Sequence, residues 1–562
     1  LLTGVKTSGL NVMSNLFHGT SEIVKDIPAI AVDSVASLLT GRRTVAFTTR
    51  GMGQGIFEGF KRGVNYMKTG YDVRDVAGKL DWRRVNFGKS KFAKLLQGYE
   101  QSIFRLMGAE DQPFYYGAKA RSIASQAIAQ GKNSGLKGID LKKFVTNLIE
   151  NPTDDMLRYA VNDAEIAVFQ NKTVLGKVAQ TFQRIPGGEL VVPFGRTPSA
   201  VAMQIINYSP VGIVSTIIRN IGKGRFDQRL FSQGLGRGIT GTAVMAIGMA
   251  LATKGLVETS RPITERERKQ WELEGRKENA IKVGGQWRSV MPLGPAGMLL
   301  VLGANLKKAM DQEGSFSLAL PQAAAETGKS FTEQTFLVGI NQFAQAINDP
   351  GRYAKNVVGR TVGSIVPTLV SDVARATDPL ERRTSAKEGF FTPLKGRIPG
   401  VRENLEPQVD VFGSPLERSA NAVETMLDPT RPTKIKSSKV VEELRRLFDA
   451  GVPATPTQFA DEKTYTDVLT SEQITQIQER AGTILEDKLE RLIAHSEYKK
   501  LDDDGKKKKI DDFTQKARVI ARAEMVQVLI QESGNERETL RKLKESGFMT
   551  KEVFNKWQEL FR

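Results

Sequence analysis

Residues 238–253 read GITGTAVMAIGMALAT and contain no charged side chain, while Arg237 and Lys254 stand immediately on either side. Small residues recur through this segment, and small residues on a helix face allow two backbones to approach closely, in lipid or in a protein core. The segment is 16 residues long, which is shorter than the ~20 residues that a bilayer-spanning helix needs. It therefore predicts a buried or membrane-seeking helix, and the rest of the chain is organised around it.

A second uncharged segment, residues 291–306, follows after a polar interval. Within that interval, alternating residues on both sides of Gly284 and Gly285 predict a β-hairpin with a two-residue turn. The sequence thus predicts two apolar helices that bracket a polar hairpin; a membrane hairpin and a buried helix pair look alike at this level. On these two helices, the candidate contacts with a membrane or with partner subunits are Gly241, Met245, Gly248, Met249, Leu251, Leu299, Leu300 and Leu302.

The N-terminal third is predicted to be almost entirely helical. Pro28 stands in the first turn of a helix over residues 28–39, a position that suits proline. A similar apolar pattern over residues 91–130 predicts a longer helical region, interrupted at Pro113 because proline lacks the amide that a helix interior uses. Between these regions, one helix face is indicated by the three- and four-residue spacing of Ile56, Phe57, Phe60, Val64 and Met67.

The C-terminal third begins with a different composition. Residues 377–438 carry seven prolines and no helical periodicity, which predicts an extended connector or a wrapping arm. Beyond it the apolar spacing is helical again. Thr470, followed three residues later by Gln473, forms a capping box that is typical of a helix start.

Together these patterns predict a mainly α fold: an elongated multi-helix assembly with one small β-hairpin, a Pro-rich extended arm and a C-terminal helical bundle. The chain begins at Leu1 with neither a methionine nor a leader, and we expect it to be part of a longer polypeptide. The predicted parts are an N-terminal helical region that ends in the apolar helix (1–260), a polar helix with the hairpin and further apolar helices (261–376), the Pro/Gly-rich connector (377–438) and a polar helical domain (439–562).

Charge and residue content restrict the chemistry. The chain has 81 Lys and Arg against 63 Asp and Glu, a net charge of +18 that is spread along its length. This balance favours nucleic acid, anionic lipid or an acidic protein as a partner, or it reflects basic solvated faces. The absence of cysteine excludes disulfides, thiolate metal sites and Cys nucleophiles. Because His18 and His495 lie in no metal or triad motif, we predict no catalytic residue, metal ligand or cofactor, and a protein that is not an enzyme.

One glycine motif requires an interpretation of its own. Residues 236–241 read GRGITG and match the G-x-G-x-x-G pattern of dinucleotide sites. Such a site needs a strand before the motif and a βαβ unit with an acidic residue after it. Because an apolar helix follows instead, we interpret the motif as a glycine hinge that enters a closely packed helix. The lysine run 506–509 is interpreted as a solvated helix start, with phosphate binding as the alternative.

Seven features follow one another in a fixed order along the chain. They are TSGLNVMSN (7–15), AEDQPF (109–114), VPFGRTP (192–198), the apolar segment 238–253, the hairpin at Trp287, GSIVP (363–367) with Asp378, Arg382 and Arg383, and EELRR (442–446). In this order they resemble the C-terminal region of the very large internal virion, or ejection, proteins of tailed bacteriophages, which belong to a wider set of phage and plasmid polyvalent proteins.

The resemblance implies a structural role in delivering a viral genome. Proteins of this kind are packaged in the capsid with the DNA, leave through the portal and tail, and help the DNA cross the host cell envelope. The implied partners are further copies of the chain, other virion proteins such as the portal or internal core, viral DNA and the host membrane. The implied location is the virion interior and, after ejection, the host envelope.

Two alternatives remain open from the sequence. The first is an injected protection, or antirestriction, protein that binds duplex DNA non-specifically, and it predicts binding with a steep salt dependence. The second is an enzyme whose active part lies upstream, with this chain as its scaffold.

Overall fold

The structure, a computed structural model, describes residues 5–70, 91–171, 173, 196–221, 226–260, 271, 275–332, 368–382, 384, 391–405, 407, 412, 415, 430, 439–447 and 468–562. In these residues the protein is mainly α-helical with one small antiparallel sheet, which confirms the predicted fold class. The predicted features at residues 192–195, 261–270 and 363–367, and most of the connector 377–438, lie outside the described residues.

The helices fall before and after the sheet. Those before it are α1 (Val5–Val24), α2 (Asp26–Thr40), α3 (Met52–Thr69), α4 (Lys91–Asn133), α5 (Gly138–Glu150), α6 (Asp154–Ala167), α7 (Arg196–Asn207), α8 (Pro210–Ile221) and α9 (Gln228–Thr253). Those after it are α10 (Pro295–Glu313), α11 (Phe316–Thr332), α12 (Thr368–Thr377), α13 (Thr392–Lys395), α14 (Lys439–Leu447), α15 (Ser471–Ala494), α16 (Ser496–Lys500), α17 (Asp503–Ser533), α18 (Glu536–Glu545) and α19 (Lys551–Phe561). Two 3₁₀ turns are formed by Met291–Leu293 and Arg402–Asn404.

Helix α3 packs on α4 through a face made of glycines. A Cβ on Gly59 would lie 2.5 Å from the Cα atom of Pro113, so the two backbones touch there. Helix α4 continues through Pro113, and the predicted break is therefore wrong. The helical carbonyl that Pro113 leaves without its usual donor is that of Ala109, and it lies against Gly63. Packing against the glycine face of α3 thus supports the helix across the proline.

The outer face of α3 carries its large apolar side chains. Phe57, Phe60 and Val64 are exposed, whereas Gly55, Gly59 and Gly63 are buried. The sequence correctly predicts a helix in this region. The structure adds that its apolar stripe points outward, because the glycines occupy the face that packs on α4.

The two uncharged segments pack against each other, as the central portions of α9 and α10. A Cβ on Gly248 would overlap the carbonyl oxygen of Leu300, and a Cβ on Gly303 would overlap that of Met245. Only hydrogen side chains allow this approach, which matches the close packing that the small residues predict.

The predicted β-hairpin is confirmed and gains one further strand. Strand β2 (Ala280–Val283) pairs with β3 (Gln286–Ser289), and Gly284 and Gly285 both have positive φ, at 58° and 80°, as a two-residue hairpin turn requires. Strand β1 (Val257–Glu258), at the end of α9, pairs antiparallel with β2. At two residues, β1 is too short to leave an alternating pattern in the sequence.

The C-terminal helices α14–α19 form a bundle with its own apolar core. Thr470 caps α15, and the capping box with Gln473 is formed in full, as predicted. Helices α15 and α17 run antiparallel, since Gln473 donates to Glu532 while Arg480, later in α15, pairs with Glu524, earlier in α17. The core contains Val440, Leu444, Ile477, Leu485, Leu489, Ile510, Val526, Phe548 and Trp557.

The described parts of the connector are anchored at two points. Asp378 is fully buried and accepts hydrogen bonds from Arg382, at 3.0 Å, and from Arg402, at 2.9 Å. Phe412 is buried in the core of the C-terminal bundle, where its carbonyl lies directly against Gly482 of α15. A region that the sequence predicts to be extended therefore has local folds where it is described.

Candidate functional site

The interior of the N-terminal body, meaning helices α1–α9, contains a network of paired charges beside its apolar clusters. At its centre, Glu22 of α1 accepts two hydrogen bonds from the guanidinium of Arg237 in α9, at 2.8 and 2.9 Å. The Tyr208 hydroxyl donates to the same carboxylate at 2.9 Å, and the Lys25 ammonium lies 3.3 Å from it. All four side chains are buried, and Lys25 has no exposed surface.

A second ion pair adjoins this centre. The guanidinium of Arg121 in α4 pairs with Asp26, and it also donates to the main-chain carbonyl of Glu22 at 2.9 Å. The Lys25 ammonium lies 3.2 Å from Asp26 and so bridges the two carboxylates. Helices α1, α2, α4 and α9 are thereby joined through charged groups away from water.

A third pair connects α9 with α6. Arg229 donates to Asp163 at 3.0 Å and to the main-chain carbonyl of Thr44 at 2.8 Å. Ser122 donates to the same carboxylate at 2.7 Å. Two further buried carboxylates are held by neutral donors: Asp33 by the amides of Thr44 and Val45 and by Gln228, and Asp111 by Asn15 and Gln170.

The buried charges in the described part of this body nearly balance. Four cations, Lys25, Arg121, Arg229 and Arg237, face five carboxylates, Glu22, Asp26, Asp33, Asp111 and Asp163. Buried charges are tolerated when they are paired and hydrogen-bonded, because the partners replace the lost hydration. Ion pairs and hydrogen bonds therefore join the helices of this body in addition to its apolar contacts.

Burial and pairing shift the titration of these groups. Burial alone would raise the pKa of Glu22, but Arg237 and Lys25 hold that pKa well below its ordinary value. Burial alone would lower the pKa of Arg237, yet Glu22 raises it above its ordinary value. Burial lowers the pKa of His18, which lies beside this centre, to about 4, and its ring stacks on Phe169. Glu22 and Arg237 are thus charged and His18 is neutral at pH 7.

The outer side of the same body has a layer of three helices. Gly236 of α9 lies against the carbonyl of Lys25 and against Ala29, at the start of α2. Gly234 and Gly238 lie against Thr216 and Ile213 of α8. Since residues two apart on a helix point about 200° away from each other, α2 and α8 flank α9 on opposite sides. We call these three helices the α2–α9–α8 layer.

The layer presents apolar side chains to the outside. Leu39 is 91% exposed and Ile247 is 54% exposed, both far above what a core residue shows. Between Arg237 and Lys254, the outward side of α9 consists of apolar side chains and threonine. The exposed apolar residues of the layer are Ile27, Ala31, Val35, Leu38 and Leu39 on α2, Val211, Val214, Ile217 and Ile218 on α8, and Leu230, Ile239, Ala243, Ala246, Ile247 and Ala250 on α9.

The eight predicted contact residues lie mostly on the inner side of these helices. Gly241, Met245 and Gly248 are buried against Tyr208 and α10, and Leu299, Leu300 and Leu302 are buried in α10 itself. Met249 and Leu251 are partly buried. Within one chain, most of the eight residues therefore lie in the interior, and the exposed residues of α9 are others.

The sequence does contain a signal that polar and charged side chains face the interior of this body. Asn15, His18, Glu22, Asp26 and Asp33 recur at helical spacing through α1 and α2, and all five are buried. A polar stripe in an apolar helix marks the face that turns inward when the helix exterior is apolar. The charged partners in α9 could not be recognised, because they are about two hundred positions away along the chain.

Length and composition alone make α9 a candidate membrane span, the one such single helix in the described part of the chain, with a third of its apolar window buried. The pair α7–α8, bent by 89°, would count as another if its helices formed one broken span. Core helices of soluble proteins can pass the same test.

In the described residues, no group of three or more His, Asp or Glu side chains is arranged to hold a metal ion. Comparison with protein-family models, with curated proteins and with solved structures gives no match for this chain.

Proposed function

We propose that this chain is a structural, non-enzymatic protein of a tailed-phage virion. It is packaged in the capsid interior, and it assembles with copies of itself and with other virion proteins to help the genome cross the host cell envelope. The observation that carries the proposal is the α2–α9–α8 layer, an apolar exterior placed over an interior of paired charges.

The layer supports the proposal because an exposed apolar surface of this kind needs a partner to cover it, and an assembling virion protein that reaches the host envelope meets such partners. Monomeric proteins that act alone in water rarely expose contiguous apolar patches of more than a few hundred Å². Covering such a surface contributes roughly 25 cal/mol for each Å² removed from water. Buried ion pairs stabilise the inner side of the N-terminal body beside its apolar contacts, which suits a protein that leaves the capsid for the envelope.

The composition of purified particles tests this proposal. Quantitative mass spectrometry should find the chain in intact virions from cells that produce it, and should find it depleted from particles that have released their genome. Its absence from intact virions would overturn the proposal. Retention of the full amount after genome release would exclude the ejection step and leave only a capsid role.

Binding to duplex DNA separates the alternative function from this one. A DNA-protection protein would shift duplex DNA at low salt and release it steeply as salt rises, since each neutralised phosphate adds to the salt dependence. A structural ejection protein needs no such affinity. Strong gel shifts from a chain that is absent from virions would favour the alternative.

A further inference from the structure

We infer that the α2–α9–α8 layer is a membrane-docking surface that lies flat on a bilayer rich in anionic lipid. The inference rests on the proposed function for its setting, the host envelope, but its physical argument comes from the layer itself. Three properties of the layer support it: the distribution of charge, the position of three arginines and the bonding of the hydroxyl groups.

The layer exposes no carboxylate. Its three helices, all of whose residues the structure describes, contain five charged residues: Asp26, Asp33, Arg219, Arg229 and Arg237. All except Arg219 are buried. An anionic headgroup therefore meets no negative side chain on these helices, and the charges that would be costly beside acyl chains are turned inward, where they are paired or hydrogen-bonded.

Three exposed arginines gather at one edge of the layer. Gln228, at the start of α9, donates to the main-chain carbonyl of Arg42, just beyond the end of α2. Helix α8 runs antiparallel to α9, since Thr216 lies against Gly234 while Ile213, earlier in α8, lies against the later Gly238. The end of α8 therefore lies beside the start of α9 as well. Consequently Arg42, Arg43 and Arg219, all exposed, lie at the same edge.

The two exposed threonine hydroxyls of α9 are bonded within their own helix. Thr242 and Thr253 of α9 donate to the carbonyls of Gly238 and Met249, four residues earlier. A hydroxyl bonded in this way keeps its donor satisfied in an apolar environment, where no water can replace a lost partner. The same pattern, over three or four residues, is formed by Ser34, Ser37, Thr40 and Ser215.

These properties favour a bilayer over a second protein. A standard protein–protein interface contains about ten direct hydrogen bonds, whereas the outward side of α9 offers small apolar residues and threonines whose donors are used within the helix. A bilayer requires apolar area and basic residues near the headgroups, and an interfacial helix layer supplies both. The occupant we assign is therefore lipid, with the arginine edge at the headgroups.

Vesicle flotation of the full chain tests the assignment. The chain should float with vesicles of phosphatidylcholine mixed with phosphatidylglycerol, and much less with phosphatidylcholine alone. The triple variant Arg42→Gln, Arg43→Gln, Arg219→Gln should bind anionic vesicles about 100-fold more weakly at low salt, because each basic residue near such a surface contributes about 1 kcal/mol. A matched control with three exposed lysines of the same body neutralised, Lys132→Gln, Lys142→Gln and Lys143→Gln, should keep most of the affinity.

Apolar contact is tested by a second pair of variants. Val35→Asp with Ile247→Asp changes exposed side chains only, so the circular dichroism spectrum should be unchanged while vesicle binding falls more than tenfold. Leu560→Asp, an exposed position on α19, is the matched control and should bind normally. Binding that ignores both the charge of the lipid and the aspartate substitutions would overturn the inference.

Two other outcomes also decide the matter. A chain that stays unbound at every lipid composition, yet self-associates in a way that Ile247→Asp abolishes, would assign the layer to a second copy and overturn the lipid assignment. A chain that binds vesicles as expected but is absent from virions would uphold the inference and overturn the proposed function. The vesicle assay tests the lipid assignment and the particle composition tests the proposed function, so either one can be overturned without the other.

Discussion

The Glu22–Arg237 pair gives the sharpest test of the paired-charge interior. In Glu22→Gln the side chain keeps its size but loses the charge that Arg237 and Lys25 share. Breaking a buried ion pair from one side costs about 3–5 kcal/mol, because the remaining charge stays in the interior without its counterion. We therefore expect the free energy of opening of the N-terminal body to fall by about 4 kcal/mol, roughly a thousandfold in its opening equilibrium.

Hydrogen exchange measured by mass spectrometry follows this opening locally. Peptides from α1 and α9 should lose protection, while peptides from α15 and α17 in the C-terminal bundle serve as the internal reference. The double variant Glu22→Met, Arg237→Met removes both charges and leaves Lys25 beside Asp26. Its decrease in the free energy of opening should be smaller, by at least about 2 kcal/mol, than the sum of the decreases in the two single variants. Unchanged protection of α1 in Glu22→Gln, or strict additivity in the cycle, would refute the reasoning.

Three further predictions concern pH and close packing. Because burial lowers the pKa of His18 to about 4, the unfolded chain binds this proton first, and up to about 3 kcal/mol of stability is lost as pH falls from about 6.5 to 4. In urea unfolding, His18→Gln should flatten that slope, whereas the exposed control His495→Gln should leave it unchanged. Gly248→Ala should destabilise by about 1–3 kcal/mol through overlap with a carbonyl, while Gly19→Ala, which meets open space in α1, should stabilise by up to about 1 kcal/mol. Gly482→Ala should lower the thermal midpoint of the C-terminal bundle for the same reason, and a rise would contradict the described packing.

The parts of the fold that could be predicted are those with a local physical cause. The hairpin turn needs positive φ at two adjacent residues, and Gly284 and Gly285 provide it. The start of α15 is set by Thr470 and Gln473, three residues apart. By contrast, the continuity of α4 through Pro113 depends on packing against α3, which no window of the sequence contains. Local signals fix where helices begin, and tertiary contacts decide whether a proline ends one.

The candidate site could be predicted only in part, because the spacing of apolar residues does not tell which side of a helix faces the protein interior. On α9 both sides are apolar, so Gly241 and Met245 on one side and Ile239 and Ile247 on the other looked equivalent in sequence. What separates the sides is the position of neighbouring backbones, since glycine and buried methionine line the contacts with α7 and α10. The ion pairs could not be predicted for a related reason. Neither Glu22 nor Arg237 alone indicates an ion pair, and the two residues lie 215 positions apart in the sequence.

The paired-charge interior and the apolar layer are parts of one arrangement. A helical body with a mainly apolar interior is stabilised because its apolar side chains are removed from water. If its outer surface is transferred to lipid, the surroundings are apolar as well, and this stabilisation is reduced. Here the inner contacts include the ion pairs of Arg237 with Glu22, Arg121 with Asp26 and Arg229 with Asp163, and ion pairs become stronger, not weaker, when water is removed. We therefore expect the N-terminal body to keep the same helix packing in water and against a bilayer, so that the free energy gained by covering the layer contributes to binding.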